Sequence, residues 1–394
     1  MRNVVVTAAP MRRPKLAVLV THPIQYYAPL YRCLAQRGAV DVVVVYLSDA
    51  GAVAYDDPGF SRQVQWDVPL LEGYDYKVLQ PSTSIASRGF WRTHDSRLLA
   101  MLDKLRPDWL LVYGYASRMN WAAVRWARSR KIKVAYTSDS NSRNPERWPP
   151  VKKFVIGHFF RQVDAFLATS ERNVEYLLKY RADKSRIRRI PFAIDVARFA
   201  AAETDAENRR QYDFVWAGKF TLRKRGGDFI KALDILAQRS DRPVKACMAG
   251  DGPCREDLVA LARRLPNHCD LDFLGFVNQN AMPSLLRSTQ IFAFTSEIEP
   301  YGLMATEAAA AGLALIVADD SGCVGPTVLA RPGVNALTYR AGDMEGLAQA
   351  MQALLHDTEL LQRMQRASLE VARQHDMIHA ADVIERLMNG EAES

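Results

Sequence analysis

The chain has 394 residues, enough for two domains of ordinary size, and its 48% hydrophobic and 24% charged content is that of a globular protein rather than a disordered or fibrous one. Five cysteines (33, 247, 254, 269, 323) are odd in number and scattered without C-x-x-C spacing, which excludes a disulfide framework or zinc knuckle and points to a reducing compartment. The net charge of +8 is unevenly placed: residues 1–195 carry 31 basic against 17 acidic side chains (+14), residues 196–394 carry 21 against 27 (−6), so the first half is expected to face a polyanionic surface.

Residues 1–14 read as a flexible tail. The apolar run Val4–Ala9 is shorter than the ~7–15 residues of a secretory h-region, Arg12 and Arg13 follow at once, and Met11 offers an alternative start. No run approaches the ~18 apolar residues of a membrane span. Lys15–Val20 then reads as a buried strand, Ala28–Gln36 as a helix and Val40–Tyr46 as a second strand, joined by a glycine-free loop, Thr21–Tyr27. Tyr55–Gln80 is an aromatic, turn-rich insertion, read either as an outer hairpin or as the wall of a binding site. Helices Ser96–Leu105 and Met119–Arg130 precede strands Trp109–Tyr113 and Lys133–Thr137. The last ends in Ser138-Asp139-Ser140-Asn141, at the carboxyl edge where open α/β sheets bind ligands, or simply as a capping turn. Arg147–Arg161 mixes bases with aromatics, and reads as a helix lying on an anionic membrane surface or as a core helix with a basic edge. Strand Ala165–Ala168, helix Arg172–Lys179, the strand and hinge Ile187–Asp195 and the polar connection Ala200–Arg210 close this half.

The second half repeats the alternation. Strand Phe214–Ala217 closes on Gly218-Lys219, and the basic loop Arg223-Lys224-Arg225-Gly226-Gly227 opens helix Asp228–Gln238. Strand Val244–Ala249, the turn Gly250–Pro253 and a helix to Leu265 precede strand Leu271–Phe276 and the loop Val277–Asn280. Helices Met344–His356, Leu360–Arg373 and Ile378–Met388 end the chain. This order predicts an α/β protein of two Rossmann-like domains, residues 15–195 and 196–372, followed by a terminal helical segment, 373–394.

The most informative stretch is Ile291–Thr327. Ile291–Thr295 is an apolar strand, Pro300 and Gly302 break it, Leu303–Ala311 has strong helix propensity, Gly312 is placed to stop that helix, and Leu313–Ala318 is another buried strand. Glu299 precedes the helix and Glu307 lies inside it, about 10 Å apart along the axis at ~1.5 Å per residue. Between them lie the free N–H groups of Gly302, Leu303 and Met304, where a diphosphate is stabilised by a helix terminus. One acid can then hold hydroxyls on each side of that diphosphate, the layout of a nucleotide-sugar. Two acids that merely favour the helix dipole are the plainer alternative.

With Tyr301-Gly302-Leu303, Glu307-Ala308 and Ala311-Gly312 in register, EPYGLMATEAAAAG resembles the pattern E-x-[FY]-G-[LI]-x3-E-A-x-A-x-G of retaining GT-B glycosyltransferases of the family 4, group 1, type. The resemblance covers residues 15–390 and is dense from Lys219 to Gly325. It implies a GT-B fold whose last helix crosses back to the first domain, and a retaining, metal-independent hexosyltransferase that needs no cofactor. Its donor would be a nucleotide-diphosphate-sugar of the UDP or GDP type. The implied acceptor is a glycan or polyprenyl-linked molecule of bacterial surface polysaccharide synthesis, met in the cytoplasm or on the inner membrane face.

The family's roles map onto this sequence as follows. Gly218 and Lys219 match the glycine and first base that neutralise the diphosphate; Lys224 or Arg225 matches the second, with the following glycines favouring Arg225. The loop Val277–Asn280 occupies the base-recognition position, with Phe276 and Val277 as the expected contacts. Glu299 would orient the donor sugar, Glu307 the ribose, and Tyr301, Gly302, Leu303 and Met304 would line the diphosphate. Asp139 stands where many members have a histidine beside the sugar. The opening THPIQYYAPLYR is similar to a variant start in bacterial members, and would turn His22, Gln25 and Tyr26 to the acceptor side of the cleft; a packed loop with a satisfied histidine is the alternative. A GT-B sugar-nucleotide epimerase would need a different acid–base set at the sugar. A nucleic-acid-binding module lacks a compact basic-aromatic motif here, and nucleic acid is not an expected partner.

Overall fold

The computed structural model describes residues 12–81, 89–142, 149–200, 211–297 and 299–391. The tail to Met11, most of the polar connection after Ala200 and the start of the segment read as a helix from Arg147 lie outside them.

Among the described residues the first half holds β1 (Lys15–Val20), β2 (Asp41–Tyr46), β3 (Tyr55–Asp57), β4 (Arg62–Val64), β5 (Asp75–Val78), β6 (Trp109–Tyr113), β7 (Lys133–Thr137), β8 (Ala165–Ala168) and β9 (Ile187–Arg189). Seven form one sheet in the order β5-β2-β1-β6-β7-β8-β9, with every pair parallel. The second half holds β10 (Tyr212–Ala217), β11 (Val244–Ala249), β12 (Cys269–Gly275), β13 (Thr289–Phe294), β14 (Ala314–Ala318) and β15 (Ala336–Tyr339), parallel in the order β12-β11-β10-β13-β14-β15. Central strands such as Leu16–Val20 and Ile291–Phe294 are buried on both faces, which is why they read as unbroken apolar runs. These are the two Rossmann-like layers of a GT-B protein.

In each sheet the strand order reverses once, at β1/β6 and at β10/β13. Ligands in open α/β sheets bind beyond the carboxyl ends of strands at such a switch point. The loops leaving β1 and β13, which carry His22–Tyr26 and Glu299–Gly302, are therefore placed by topology to meet across a cleft.

The last helix, Met377–Asn389, returns to the first half. Ala380, Ala381, Ile384 and Met388 join the apolar cluster built around β1 and β2, and Arg37 grips Glu385 through Nε at 2.9 Å and Nη2 at 2.8 Å. Ile194 and Asp376 pair where the two crossing segments meet. Among the described residues no helix is long and apolar enough to cross a membrane, and all five cysteines are free thiols.

The insertion after Tyr55 differs most from the sequence reading. Its first part is the antiparallel hairpin β3–β4, and its end, β5, joins the sheet as an edge strand. β5 escaped notice because three of its four residues (Asp75-Tyr76-Lys77) are exposed, so no buried run marks it. The hairpin is not an outer one. It reaches across to the second half, where Asn278 Nδ2 donates to the Gln65 carbonyl at 2.8 Å, and Asn280 donates to Asp67 through its backbone N–H at 3.0 Å and its Nδ2 at 2.7 Å. Phe60 meets Phe276 edge to face at 4.9 Å, with Trp66 at 6.0 Å.

Candidate active site

At the end of β13 the chain turns through Glu299-Pro300-Tyr301 into helix Leu303–Ala310. Gly302 caps that helix at φ 95°, and a Cβ there would lie 2.6 Å from the Phe294 ring, so only glycine fits the turn. Gly312 follows the helix at φ 78°, as its stop position requires. The amides of Leu303 and Met304 have no acceptor within the helix and line a cavity of about 400 Å³.

Into the same cavity come Gly218 and Lys219 from the end of β10, Lys224, Phe276 and Val277, Glu299 and Tyr301, and from the first half His22, Gln25, Tyr26, Asp57 and Asp139. The sequence candidates are thus brought together with two exceptions. Glu307 sits behind the lining at 1% exposure. Arg225 is turned away: its Nε binds Asp228 at 2.6 Å and its Nη1 reaches Glu297 at 3.3 Å. The left-handed backbone of Arg225 (φ 51°) ends a short 3-10 turn, and leaves Lys224 as the base that faces the cavity, hydrogen-bonded to Glu299.

Glu307 is buried with one carboxylate oxygen unsatisfied. Its Oε2 has no hydrogen-bond partner among the described residues, and desolvation lifts its pKa to about 8, moderated by the charge of Arg198 and a hydrogen bond with Gln279. Arg198 itself donates to the side chain of Gln279 at 3.0 Å and to its carbonyl. A buried polar atom without a partner is costly unless a ligand supplies one.

The glycine-free loop after β1 crosses the gap. Tyr26 packs on the apolar cluster of the second half, and burial together with the charges of Glu307 and Glu299 raises its pKa far above that of free tyrosine. Tyr27 packs tilted against Tyr113 with ring centroids 4.6 Å apart, and Phe192 links it to Tyr301. His22 is hydrogen-bonded to Thr21 at 2.9 Å, and burial lowers its pKa to about 4, so the ring is neutral at pH 7. Asp139 is open to the cleft, and desolvation by the walls, then the charge of Glu299, raise its pKa. A second cavity of about 770 Å³ adjoins the first on the side of the first sheet, lined by His22, Tyr27, Tyr55, Asp57, Tyr113, Ser117, Asp139 and Lys219 among others.

Asp57, Phe60 and Trp66 lie in the insertion read as an outer hairpin or a binding-site wall, and Gln279 in the loop at the base-recognition position, but none was named as a site residue. For Asp57 the local signal was the Asp57-Pro58-Gly59 turn, which announces a bend but not a partner 162 positions later. Among the described residues no three His, Cys, Asp or Glu side chains converge as a metal-ligand set.

Two family models divide the chain between them: "Glycosyltransferase Family 4" matches residues 25–198, and "Glycosyl transferases group 1" matches residues 200–371. The chain belongs to the family 4, group 1 glycosyltransferases. Of its relatives, the sulfoquinovosyl transferase of Arabidopsis thaliana is 28% identical over 148 residues, 37% of this chain but only 28% of that protein's own length. The D-inositol 3-phosphate glycosyltransferase of Jonesia denitrificans is 23% identical over 389 residues, covering 90% of this chain and 88% of that one. Among solved structures, the Anabaena protein HepE in complex with UDP and glucose superposes with a TM-score of 0.71 at 16% identity, over 96% of this chain and 100% of that one. These likenesses establish the GT-B fold.

Proposed function

We propose that the chain transfers a hexose, with retention, from a nucleotide-diphosphate-sugar to a saccharide or lipid-linked acceptor. The observation that carries this reading is the buried Glu307, one of whose carboxylate oxygens has no partner among the described residues, behind a cavity that Lys219, Lys224, Glu299 and a helix N-terminus line. HepE, with the same fold, was solved with UDP-glucose, which favours a UDP donor over a GDP one.

In this reading Glu307 and Gln279 take the ribose, and the backbone at Phe276 and Val277 takes the base. The amides of Leu303 and Met304 take the diphosphate together with Lys219 and Lys224. Lys224, rather than Arg225, is the second phosphate base. Glu299 orients the sugar hydroxyls, and its hydrogen bond with Lys224 couples sugar and phosphate recognition. The bond from the anomeric carbon to the phosphate oxygen breaks, and the bond to the acceptor oxygen forms on the same face. The acceptor proton passes to the departing phosphate, whose growing charge the two lysines and the helix terminus stabilise. No protein nucleophile is required. Asp139, at the junction of both cavities, lies beside the transferred sugar. The larger cavity, reached past His22, Gln25 and Tyr26, receives the acceptor.

The basic first half also offers a contact surface. On helix Pro149–Phe160, Val151, Phe154 and Val155 are exposed at 61%, 72% and 42%, with Lys153 between them, the composition of a face that rests on anionic lipid. Lys152, by contrast, lies over the Tyr176 and Tyr180 rings. Sedimentation with anionic but not neutral vesicles, lost at high salt and in Phe154→Ser with Lys153→Glu, is the expected result; no sedimentation at low salt leaves a protein that meets its acceptor away from a membrane. The function itself is tested by a panel of UDP- and GDP-sugars on a polyprenyl-linked saccharide, with mass and anomeric analysis of the product. Transfer with inversion, or none with any donor, overturns the reading.

A further inference from the structure

Every base proposed to hold the diphosphate is already paired, and the partner of Lys219 comes from the opposite domain. Lys219 Nζ lies 2.9 Å from Asp57 Oδ1 and 2.8 Å from Oδ2, and 4.8 Å over the Phe60 ring. Asp57 is 7% exposed and held from three further sides: the N–H of Gly59 at 2.8 Å, the N–H of Phe60 at 3.3 Å and the hydroxyl of Tyr55 at 3.1 Å. Burial alone would raise its carboxyl, but the hydrogen bond and charge of Lys219, with the hydrogen bonds from Gly59 and Tyr55, together outweigh it and hold it below the usual carboxylate range. The hairpin tip is seated as closely: a Cβ on Gly252 would lie 2.6 Å from the Gly59 carbonyl. Asp57 and Lys219 both line the small cavity and the large one.

We propose that Asp57 is the counter-ion that the donor diphosphate displaces from Lys219, and that it sets the affinity for the nucleoside diphosphate both on entry and on release. The argument is one of charge. A lone lysine at this place would attract a diphosphate with its full charge; a carboxylate that engages the ammonium through both of its oxygens cancels most of that attraction. The same carboxylate lies a few ångströms from the arriving phosphate and repels it. The opposing effect, the loss of a fixed rotamer when Asp57 no longer holds the lysine, is smaller, because the Phe60 ring and the hairpin wall still confine the stem. Once the proton taken from the acceptor is lost to solvent, the product bears one more negative charge on its terminal phosphate than the donor did, so the carboxylate then opposes the product more than the substrate. Its return to Lys219 completes release, a step that often limits turnover. The pair also ties the two domains, so donor entry loosens a cross-domain contact while Asn278 and Asn280 keep the hairpin seated.

This inference rests on the donor-site reading, and the experiment separates the two. The full chain is titrated by calorimetry with UDP and GDP, and the tighter of them is compared with its own nucleoside in Asp57→Asn, Lys219→Met and the double variant. Asp57→Asn keeps the shape and the acceptor for Gly59, and is expected to bind the diphosphate about tenfold tighter, ~1.4 kcal/mol, with nucleoside affinity unchanged. In the Lys219→Met background only the direct repulsion of the phosphate remains to be relieved, so the same change is expected to give a clearly smaller gain. Asp57→Ser, which retains a hydroxyl acceptor, serves if the asparagine variant loses nucleoside binding, and is expected to act alike. Unchanged or weaker diphosphate binding in Asp57→Asn overturns the inference, as does an equal gain with and without Lys219. Failure of the unmodified chain to bind either diphosphate overturns the donor-site reading, and this inference with it.

Discussion

The unit Thr289–Ala318 and the insertion Tyr55–Val78 form opposite walls of one cavity, and the chain makes them in different ways. The first is a strand, a turn and a helix whose course is set mostly by nearby residues: apolar runs for β13 and β14, Gly302 where a Cβ cannot fit, Gly312 where the helix must stop. The second owes its place to partners far along the chain, at Lys219, Gly252, Phe276, Asn278 and Asn280. A wall built from local rules carries its function in a motif. A wall built from distant contacts carries it in residues that look ordinary until the fold brings them together.

The largest effect expected lies on the first wall. Glu299→Ala should lower transfer about 10²–10³-fold, the scale of losing one preorganised group that acts on the reacting sugar; a loss below tenfold would remove Glu299 from the sugar site. Lys224→Ala and Arg225→Ala sharpen the geometry next. The first should reduce turnover about 10–100-fold, and the second only a few-fold, because Arg225 is engaged by Asp228 and Glu297. Similar losses in both would return Arg225 to the phosphate clamp.

Burial of Glu307 gives a pH signature on the same wall. Its carboxyl moves from 4.5 to about 8 on folding. Between those values the unfolded chain has released the proton while the folded chain keeps it, so stability falls as pH rises through that window and levels off above it. Glu307→Gln should flatten this fall by ~1–3 kcal/mol, allowing for local relaxation, in urea melts at pH 5 and pH 8. Parallel slopes would show that the acid is not buried as described.

The second wall gives the smallest effect. A double-mutant cycle of Phe60→Ala with Phe276→Ala should show a coupling of ~0.5–1.5 kcal/mol in unfolding free energy, the worth of an edge-to-face pair. No coupling would mean that the hairpin is not seated on the second domain in solution.

How far the sequence could be read follows from the same contrast. β1, β6, β7, β8 and β11 begin and end where the apolar runs do, because strands buried on both faces announce themselves. The E-x7-E segment, Lys219 and the loop after β1 were legible because their spacing is tied to one turn or one helix. The choice between Lys224 and Arg225 was not, since the left-handed residue that turns the arginine away is a property of the backbone. Nor was Asp57, whose turn signature is common and whose partner is fixed only by the docking of two sheets. Asn278 and Asn280 sit in the loop expected to meet the base, but their side chains hold the hairpin.

The central claim is that the two acids divide one donor between them, Glu307 on the nucleoside side and Glu299 on the sugar side. Titration of the free nucleoside diphosphate into the unmodified chain, Glu299→Ala and Glu307→Ala tests it most directly, because that ligand has the ribose but not the transferred hexose. Glu307→Ala should weaken binding by about 1–3 kcal/mol, the worth of a charged or buried hydrogen bond, while Glu299→Ala leaves it within a few-fold of the parent. Equal losses in both variants would contradict the division of labour.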